Sequence, residues 1–338
     1  MNTFFSTFIS GFGDLIKQEL PKKLPNLKVN KLLDGLITYQ STSPVIQIKD
    51  LRFFNNSFIF LHQFSGDIEF NPSGLIKRLL KEFDFELISI HVPQKQQSFR
   101  IVISQENQII SIDKSMLNKL EKRIQQSTRL DVDRSSPDIE FWLLIRREDL
   151  VLFGLRISKH TAYKKTLRPG ELRPQLAYLL CLLSEPKKRD KVLDPFCGYG
   201  AIVLERAKYF PYSQIYAGDK DTKLIQELIR KSKGLEKMEI KKWDALDLKS
   251  IPDNSINKII TDPPWGIYEQ VGNLTKFYQQ MLNEFGRVLI KSGEIIILSS
   301  AKSEFESVLK LNSHFNLLNQ YHILVSGKKA GVYKLQKF

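Results

Sequence analysis

Short apolar runs alternate with amphipathic stretches through the C-terminal half of the chain. Runs rich in Val, Ile and Leu predict strands at Lys191–Phe196, Gln214–Asp219, Glu239–Trp243, Lys258–Thr261, Glu294–Ser299, Leu318–Val325 and Val332–Gln336. Helical periodicity predicts helices that begin at Ala201 and Thr222 and helices that span Leu274–Leu289 and Ser303–Leu311. This alternation predicts a doubly wound parallel sheet with one strand reversed at the end.

The N-terminal half has a mixed pattern that predicts α+β structure. Strands are predicted at Phe4–Ile9, Leu32–Gln40, Ile48–Phe64, Phe99–Ser104, Asp138–Ile145 and Leu150–Ile157. Helices are predicted at Asp14–Leu24, Leu75–Phe83 and Lys114–Ser127. We therefore divide the chain into domains at residues 1–70, 71–158 and 174–338, with a basic linker at 159–173.

The composition is that of an ordinary globular protein, with 42% hydrophobic and 26% charged residues over 338 positions. Two cysteines, Cys181 and Cys197, are too few for a disulfide framework or a zinc site built from cysteines, and no metal site is predicted. No apolar run is long enough to span a bilayer, and the start Met1–Gly11 lacks the basic leader of a signal peptide. These features lead us to expect a cytoplasmic protein.

Basic residues are in excess, and most of the excess lies in the second half of the chain. The formal net charge is +14, and residues 161–338 contain 29 Lys and Arg against 19 Asp and Glu. Such an excess favours a polyanionic partner, because cations that neutralise phosphates release bound counterions. A solubilising surface explains the charge equally well, so charge alone does not identify the partner.

A glycine-containing turn joins a predicted strand to a predicted helix at Asp194-Pro195-Phe196-Cys197-Gly198-Tyr199-Gly200. Gly198 and Gly200 allow the backbone to turn sharply and to approach a ligand closely. A dinucleotide-binding fingerprint would place a third glycine where Val203 stands, so NAD is the weaker hypothesis.

Aspartates also end the next two predicted strands. Asp219 is placed to accept hydrogen bonds from ribose hydroxyls, and Asp244 to accept one from the amino group of an adenine. Together with Asp194 they would suit a sulfonium cofactor that carries an ammonium group. Each aspartate alone could be a helix cap, but their repetition at successive strand ends favours a cofactor site.

The sharpest motif is Asp262-Pro263-Pro264-Trp265, which follows the strand that ends at Thr261. Two prolines make a stiff loop, and the Pro263 carbonyl can face a ligand as an acceptor. The Asp262 carboxylate and this carbonyl could each accept one N–H of an exocyclic base amine and aim its lone pair at a methyl group. Trp265 could stack on an extruded base. A proline-rich turn with a core tryptophan is the structural alternative.

These motifs resemble those of the class I, seven-stranded methyltransferases that act on amino groups, whose motifs read D-P-x-C-G-x-G and [DN]-P-P-[YFW]. The run Arg168–Pro174 resembles the segment that precedes the first motif in tRNA guanine-N2 methyltransferases. Residues 71–158 resemble their THUMP domain, notably Arg129–Asp133, Pro137-Asp138 and the hairpin Phe141–Ile157, and residues 1–70 weakly resemble the small ferredoxin-like domain that precedes it. The sequence is thus similar to THUMP-containing tRNA (guanine-N2)-methyltransferases.

The resemblance implies a Rossmann-like methyltransferase domain, S-adenosylmethionine as cofactor and tRNA as partner. It implies that the cofactor lies against Asp194, Pro195, Phe196, Cys197, Gly198, Gly200, Asp219, Lys220, Asp244, Ala245 and Asp262, and that the target amine lies against Asp262, Pro263, Pro264 and Trp265. Cys197 is interpreted as small packing, not as a nucleophile. Relatives often carry Ser and Thr where Tyr199 and Ala201 stand, which removes two side chains that could bind the cofactor carboxylate.

The basic segment between the domains is a candidate RNA contact. It carries Lys159, Lys164, Lys165, Arg168 and Arg173, which could bind phosphates or could form an ordinary solvated linker. An adenine-N6 methyltransferase of DNA or another RNA remains an alternative, since the same motif serves both amines. A tRNA-binding scaffold without activity is a second alternative. The modified guanosine, mono- or dimethylation, the need for a small activating partner and the oligomeric state stay open.

Overall fold

The computed structural model describes residues 1–64, 71–158, 167–168, 170–266, 272–325 and 327–338. Its contacts divide the chain into two compact units, Met1–Thr7 with Leu20–Lys159 and Phe8–Glu19 with His160–Phe338. The segment Phe8–Glu19 is therefore grouped with the C-terminal unit, although it lies near the start of the sequence. The finer division at residues 70, 158 and 173 stays a prediction.

The strands before residue 158 form one mixed sheet of nine strands. In chain order the elements are β1 (Asn2–Thr7), α1 (Gly13–Lys23), β2 (Lys28–Leu33), β3 (Leu36–Ser41), α2 (Val45–Lys49), β4 (Asn56–Gln63), α3 (Pro72–Glu82), α4 (Glu86–Ser89), β5 (Ser98–Gln105), β6 (Gln108–Ile109), α5 (Lys114–Thr128), β7 (Asp131–Val132), β8 (Ile139–Arg146) and β9 (Leu150–Arg156). The strand order is β2-β3-β1-β4-β9-β8-β5-β6, and β7 pairs with β5. Buried Phe5, Phe58, Leu144 and Leu152 form a core cluster, so β1, β4, β8 and β9 share one packed face.

The C-terminal unit contains a seven-stranded sheet. Its elements are α6 (Pro174–Leu183), β10 (Lys191–Asp194), α7 (Ala201–Tyr209), β11 (Gln214–Asp219), α8 (Thr222–Lys231), β12 (Met238–Lys242), β13 (Ile256–Thr261), α9 (Leu274–Val288), β14 (Leu289–Ser299), α10 (Lys302–Leu311), β15 (Phe315–Val325) and β16 (Lys328–Lys337). The order is β12-β11-β10-β13-β14-β16-β15, and β16 is antiparallel to both neighbours. The predicted doubly wound sheet with one reversed strand is confirmed.

Strands β10 to β14 are parallel, so their carboxyl ends meet at one edge of this sheet, the carboxyl edge. Buried Leu193, Ile259, Ile297, Tyr278 and Phe305 pack in the core cluster that supports it. Ligands of such sheets bind beyond the carboxyl ends of the strands. None of the helices in the described ranges is long and apolar enough to cross a membrane.

Two predicted strands of the N-terminal half were wrong in part. Residues Ile48 and Lys49 lie in helix α2, and the strand covers only Asn56–Gln63. Pro44 precedes this helix in an extended conformation. The helix buries Ile48 and leaves Ile46 exposed. Apolar residues at this spacing are also found in strands, which is why a strand was predicted here. The predicted strand Leu32–Gln40 is broken at Gly35, whose positive φ of 79° forms the turn between β2 and β3.

Helix α6 was not predicted from the sequence. Pro174 occupies its first turn, and all residues from Leu176 to Leu183 are buried. A helix that is apolar on every side lacks the periodicity by which amphipathic helices are recognised. The predicted strand Lys191–Phe196 ends earlier, at Asp194, because Pro195 and Phe196 already belong to the glycine-containing turn.

Candidate active site

Asp194 lies at the carboxyl end of β10 and ties that strand to β13. Its side chain is buried, and its Oδ1 accepts hydrogen bonds from the Thr261 hydroxyl at 2.7 Å and from the Phe196 N–H at 3.3 Å. Its Oδ2 is buried and has no hydrogen-bond partner within the described part of the chain. Burial raises the pKa of Asp194 to about 7, against the opposing effect of the Thr261 hydrogen bond. Asp194 therefore holds the two predicted motifs next to each other.

The glycine-containing turn depends on two left-handed backbone conformations. Gly198 has a φ of +49° and Gly200 a φ of +86°. A Cβ on Gly200 would lie 2.2 Å from Leu228 Cδ1, whereas a Cβ on Gly198 would have no heavy atom of the described residues within 4 Å, apart from its chain neighbours. The turn is thus packed against the protein at Gly200 and faces open space at Gly198, as a ligand-binding turn requires.

Asp219 and Asp244 lie beside this turn at the ends of β11 and β12. The Gly198 N–H donates to Asp219 Oδ2 at 3.0 Å, and the Asp221 N–H donates to Asp219 Oδ1 at 2.9 Å. Asp244 Oδ1 accepts from the Leu246 N–H at 2.9 Å, and its Oδ2 lies 3.1 Å from Lys220 Nζ. Both carboxylates are partly exposed, so further acceptor positions on them face solvent.

The neighbours predicted with these residues differ in exposure. Lys220 is exposed and Ala245 is buried, as are Pro195 and Cys197. Burial raises the pKa of the Cys197 thiol, which disfavours the thiolate and agrees with the interpretation of Cys197 as packing. Phe196 is partly buried, with its ring centroid 5.8 Å from that of Phe277.

The Asp262-Pro263-Pro264-Trp265 loop leaves β13 at the carboxyl edge. Trp265 Nε1 donates to Asp262 Oδ1 at 2.8 Å, so the indole and the carboxylate hold each other in place. Burial raises the pKa of Asp262 well above its ordinary value, and the neighbouring charge of Asp194 adds to the effect, while the Trp265 hydrogen bond opposes it. Pro263 is buried, Pro264 and Trp265 are partly exposed, and Asp262 is partly exposed as a residue although its carboxylate is surrounded by protein.

Tyr278 on α9 holds the same loop through a hydrogen bond from the core of the unit. Its hydroxyl donates to the Pro264 carbonyl at 3.0 Å and lies 3.0 Å from the Ser299 hydroxyl at the end of β14. The ring is fully buried, and burial raises the pKa of Tyr278 to about 12, so the hydroxyl keeps its proton. Tyr278 was not predicted as a site residue, because a tyrosine on the apolar side of a helix cannot be distinguished in sequence from an aromatic residue of the core.

Tyr278→Phe is expected to lower the rate constant of any reaction at the loop about tenfold, the worth of one buried hydrogen bond. The Pro264 carbonyl would lose its donor, and the loop would be held less tightly. Turnover under saturating substrate measures this effect. Tyr212→Phe is the matched control, since the Tyr212 hydroxyl donates to the Glu236 carbonyl at 2.8 Å before β11, away from the carboxyl edge. Equal losses in both variants would contradict the role given to Tyr278.

Tyr199 in the glycine-containing turn is flanked by two cations. The Arg168 guanidinium carbon lies 4.8 Å from the centre of the Tyr199 ring, and Lys231 Nζ lies 5.4 Å from it. Glu227 pairs with both cations, at 2.5 Å from Arg168 Nη1 and 3.1 Å from Lys231 Nζ. Tyr199 is therefore held by cation–π contacts, and its two cations are held by ion pairs, none of which a sequence pattern indicated.

The predicted RNA-binding residues are placed as follows. Lys159, Lys164 and Lys165 lie outside the described residues. Arg168 contacts Glu227 and Tyr199 within the C-terminal unit, so its charge is already partly compensated. Arg173 is exposed immediately before α6. A phosphate contact for these residues stays a prediction.

The geometry brings two acidic elements together at the carboxyl edge. One is the turn with Asp219 and Asp244 beside it, and the other is the Asp262–Trp265 loop, joined to the turn through Asp194 and Thr261. Among the described residues, no group of His, Cys, Asp and Glu side chains could hold a metal ion. This arrangement can bind a cationic or hydroxyl-bearing ligand at the turn and an N–H donor at the loop.

Comparison with known proteins places this sheet and its motifs among methyltransferases. Residues 161–328 match the model of the RMKL-like methyltransferase domain. A probable tRNA (guanine(10)-N2)-dimethyltransferase of Methanothermococcus thermolithotrophicus is 32% identical over 162 residues, which are 44% of this chain and 96% of that protein. The tRNA (guanine(10)-N2)-dimethyltransferase of Methanothermobacter thermautotrophicus is 27% identical over 214 residues, 59% of this chain. The match spans 61% of that relative, less than two thirds of its length.

A solved structure extends the likeness to the whole chain. The crystal structure of TrmN from Thermus thermophilus superposes with a TM-score of 0.80 and covers 100% of both chains, at 21% sequence identity. At this identity the likeness concerns the fold, and it confirms the predicted Rossmann-like seven-stranded architecture.

Proposed function

The chain belongs to the family of RMKL-like methyltransferases, and from this premise we propose that it transfers a methyl group from S-adenosylmethionine to the N2 amine of guanosine in tRNA. The observation that carries the proposal is the Asp262 carboxylate, held by Trp265 in a proline-stiffened loop beside the glycine-containing turn. The names of the two relatives, a tRNA (guanine(10)-N2)-dimethyltransferase and a probable one, support guanine N2 as the target.

The residues at the turn fit S-adenosylmethionine. The open space over Gly198 admits a ligand close to the backbone, and the surrounding carboxylates of Asp219 and Asp244 match its ribose hydroxyls, adenine amine and positive charges. Asp194 is better suited to supporting this site than to touching the ligand, since it is buried. When bound, S-adenosylmethionine supplies an electrophilic methyl group.

At the loop, the chain's own groups orient the acceptor and handle its proton. The Asp262 carboxylate and the Pro263 carbonyl each accept one N–H of the guanine amine, which would otherwise be a poor nucleophile because its lone pair is delocalised. Holding both N–H groups favours the tetrahedral nitrogen, with its lone pair directed away from the ring. As the nitrogen gains positive charge, Asp262 stabilises it, and its raised pKa suits it to take up the released proton. Trp265 supplies a flat face for the extruded base.

The remaining parts of the proposal concern substrate selection. Residues 71–158 would act as a THUMP domain that grips the acceptor end of tRNA, preceded by a ferredoxin-like domain at residues 1–70. The chain would work in the cytoplasm, and a small activating protein partner would be an added requirement that the test below addresses.

Incubation of the purified chain with labelled S-adenosylmethionine tests the proposal. Unmodified tRNA, unmodified DNA and other RNA serve as parallel acceptors, followed by mass spectrometry of the nucleosides. We expect label in tRNA as N2-methylguanosine or its dimethyl form. Label as N6-methyladenosine would replace guanine by adenine as target. Cofactor binding without transfer to any acceptor, also after addition of a cell extract that could supply a partner, would favour the scaffold alternative.

A further inference from the structure

The hairpin of β15 and β16 extends beyond the carboxyl edge of the C-terminal sheet. Ser299, the last residue of β14, pairs with Gly331, and Gly331 pairs with His322. Pairing then continues outward for three more positions, to Val325 opposite Lys328. At about 3.3 Å per residue, the hairpin reaches about 10 Å past the end of β14.

This extension stands near the loop that holds the target amine. Tyr278 links Ser299 to the Pro264 carbonyl through contacts of 3.0 Å each, so the loop and the base of the hairpin lie at the same level of the sheet. Strand β16 is two positions from β13 in the sheet order, and β15 is three. With neighbouring strands about 4.8 Å apart, the hairpin lies roughly 10 to 15 Å to one side of the loop.

The hairpin and its base carry cations and hydrogen-bond donors. Lys329 is exposed on the extension, and Lys302 at the start of α10 places its Nζ 3.0 Å from His322 Nδ1. The contact joins the ammonium group of Lys302 to the imidazole ring of His322. The pair therefore places a cationic side chain and an imidazole ring, which is exposed, at the base of the hairpin.

A groove of about 730 Å³ runs along β15 within the same unit. One wall is the segment that starts at Gly11, where a Cβ would lie 2.0 Å from the His322 carbonyl oxygen, so the wall is packed closely on the strand. The lining includes the cation Lys17 and the polar side chains of Gln18, Asn319, Gln320, Tyr321 and His322. Asp14 is the acidic residue of the lining. Lys17 and Gln18 can donate hydrogen bonds to an acceptor-rich ligand such as a phosphate chain.

We propose that Lys17, Lys302, His322 and Lys329, here called the hairpin surface, bind the sugar-phosphate backbone of the substrate RNA beside the target guanosine. The inference rests on the proposed function and extends it to residues outside both motifs and outside the linker. Contacts of this kind fix the position and orientation of a nucleic acid and carry no sequence information. The hairpin surface would hold the strand while the base enters the loop.

The test compares two double variants with the same loss of charge. Lys302→Ala with Lys329→Ala removes two cations of the hairpin surface, and Lys187→Ala with Lys188→Ala removes two exposed cations before β10, at the opposite edge of the sheet. Binding of an unmodified tRNA transcript is measured by fluorescence anisotropy over a series of salt concentrations. The first variant is expected to reduce the slope of log affinity against log salt by about 1.5, and the control to leave it unchanged.

Two measurements distinguish a failure of this inference from a failure of the proposed function. Calorimetric binding of S-adenosylmethionine should be the same in both double variants and the wild type, which also shows that they are folded. Equal slopes in the two double variants, or an unchanged slope in the first double variant, would overturn the proposed role of the hairpin surface even when the wild type methylates tRNA. A wild type that binds tRNA but transfers no methyl group would overturn the proposed function, and the difference in slope would still be measured.

Discussion

Asp262→Asn is expected to lower kcat about 100- to 1,000-fold, the cost of removing one group that stabilises charge in a transition state. Asparagine keeps the size of the side chain but loses the negative charge and the capacity to take up a proton. Its amide NH2 group is a donor and cannot accept the hydrogen bond that Trp265 Nε1 now donates to Asp262 Oδ1 at 2.8 Å. Single-turnover methylation of tRNA measures the loss, and calorimetry is expected to show S-adenosylmethionine affinity within a few-fold of wild type.

The pH dependence of the same reaction provides a second readout. Because burial raises the pKa of Asp262, the fraction of Asp262 in the carboxylate form increases only as the pH rises through that higher pKa. The wild-type rate should therefore increase with pH in this range, and the Asp262→Asn rate should be flat. Asp247→Asn is the control, since its half-exposed carboxylate pairs with Lys249 at 2.8 Å outside the loop. Wild-type turnover in the Asp262 variant would refute the mechanism.

Gly200→Ala is expected to destabilise the C-terminal unit and to abolish high-affinity cofactor binding. A φ of +86° costs an L-residue about 1–2 kcal/mol, and the added Cβ would lie 2.2 Å from the fully buried Leu228, an overpacking worth about 1–3 kcal/mol. The midpoint of chemical denaturation and the calorimetric Kd for S-adenosylmethionine measure the two effects.

Gly198→Ala gives the informative contrast. The position shares the left-handed backbone but has open space where the methyl group would go, so the free energy of unfolding should fall by only about 1–2 kcal/mol. Cofactor affinity should nevertheless drop, because the methyl group occupies the ligand side of the turn. Leu228→Ala combined with Gly200→Ala should show a favourable coupling energy in a double-mutant cycle. Two glycine variants with identical stability and affinity would contradict the division of the turn into a packed side and a ligand side.

The parts of the site that sequence predicted well are those fixed by local rules. Strand ends follow from apolar runs that stop, and carboxyl ends of parallel strands share one edge, so Asp194, Asp219, Asp244 and Asp262 were predicted to lie together. The structure places them there and adds that Asp194 is buried between the two motifs. Its supporting role depends on Thr261, 67 residues away along the chain, and spacing alone does not reveal such a contact.

The parts that sequence missed depend on partners that are distant along the chain. Tyr278 contacts Pro264, which lies 14 residues away along the chain, and its position on α9 resembles that of a core residue. The contacts of the Arg168 guanidinium with Glu227 on α8 and with the Tyr199 ring were not predicted, while its predicted RNA contact stays a prediction. Helix α6 was missed because its uniform apolar character has no period. Each omission concerns tertiary contact or burial, which overrides local pattern.

The grouping of Phe8–Glu19 with the C-terminal unit has a consequence for experiments on fragments. β15 is the last strand of its sheet, and the backbone of Gly11 approaches His322 on it while the Phe12 ring centroid lies 5.3 Å from that of Tyr321. A catalytic fragment produced from residue 160 onward would leave this strand uncovered, with unpaired backbone groups that favour self-association. Supplying residues 8–19 as a separate peptide, or fusing them after Phe338, should restore a monodisperse fragment.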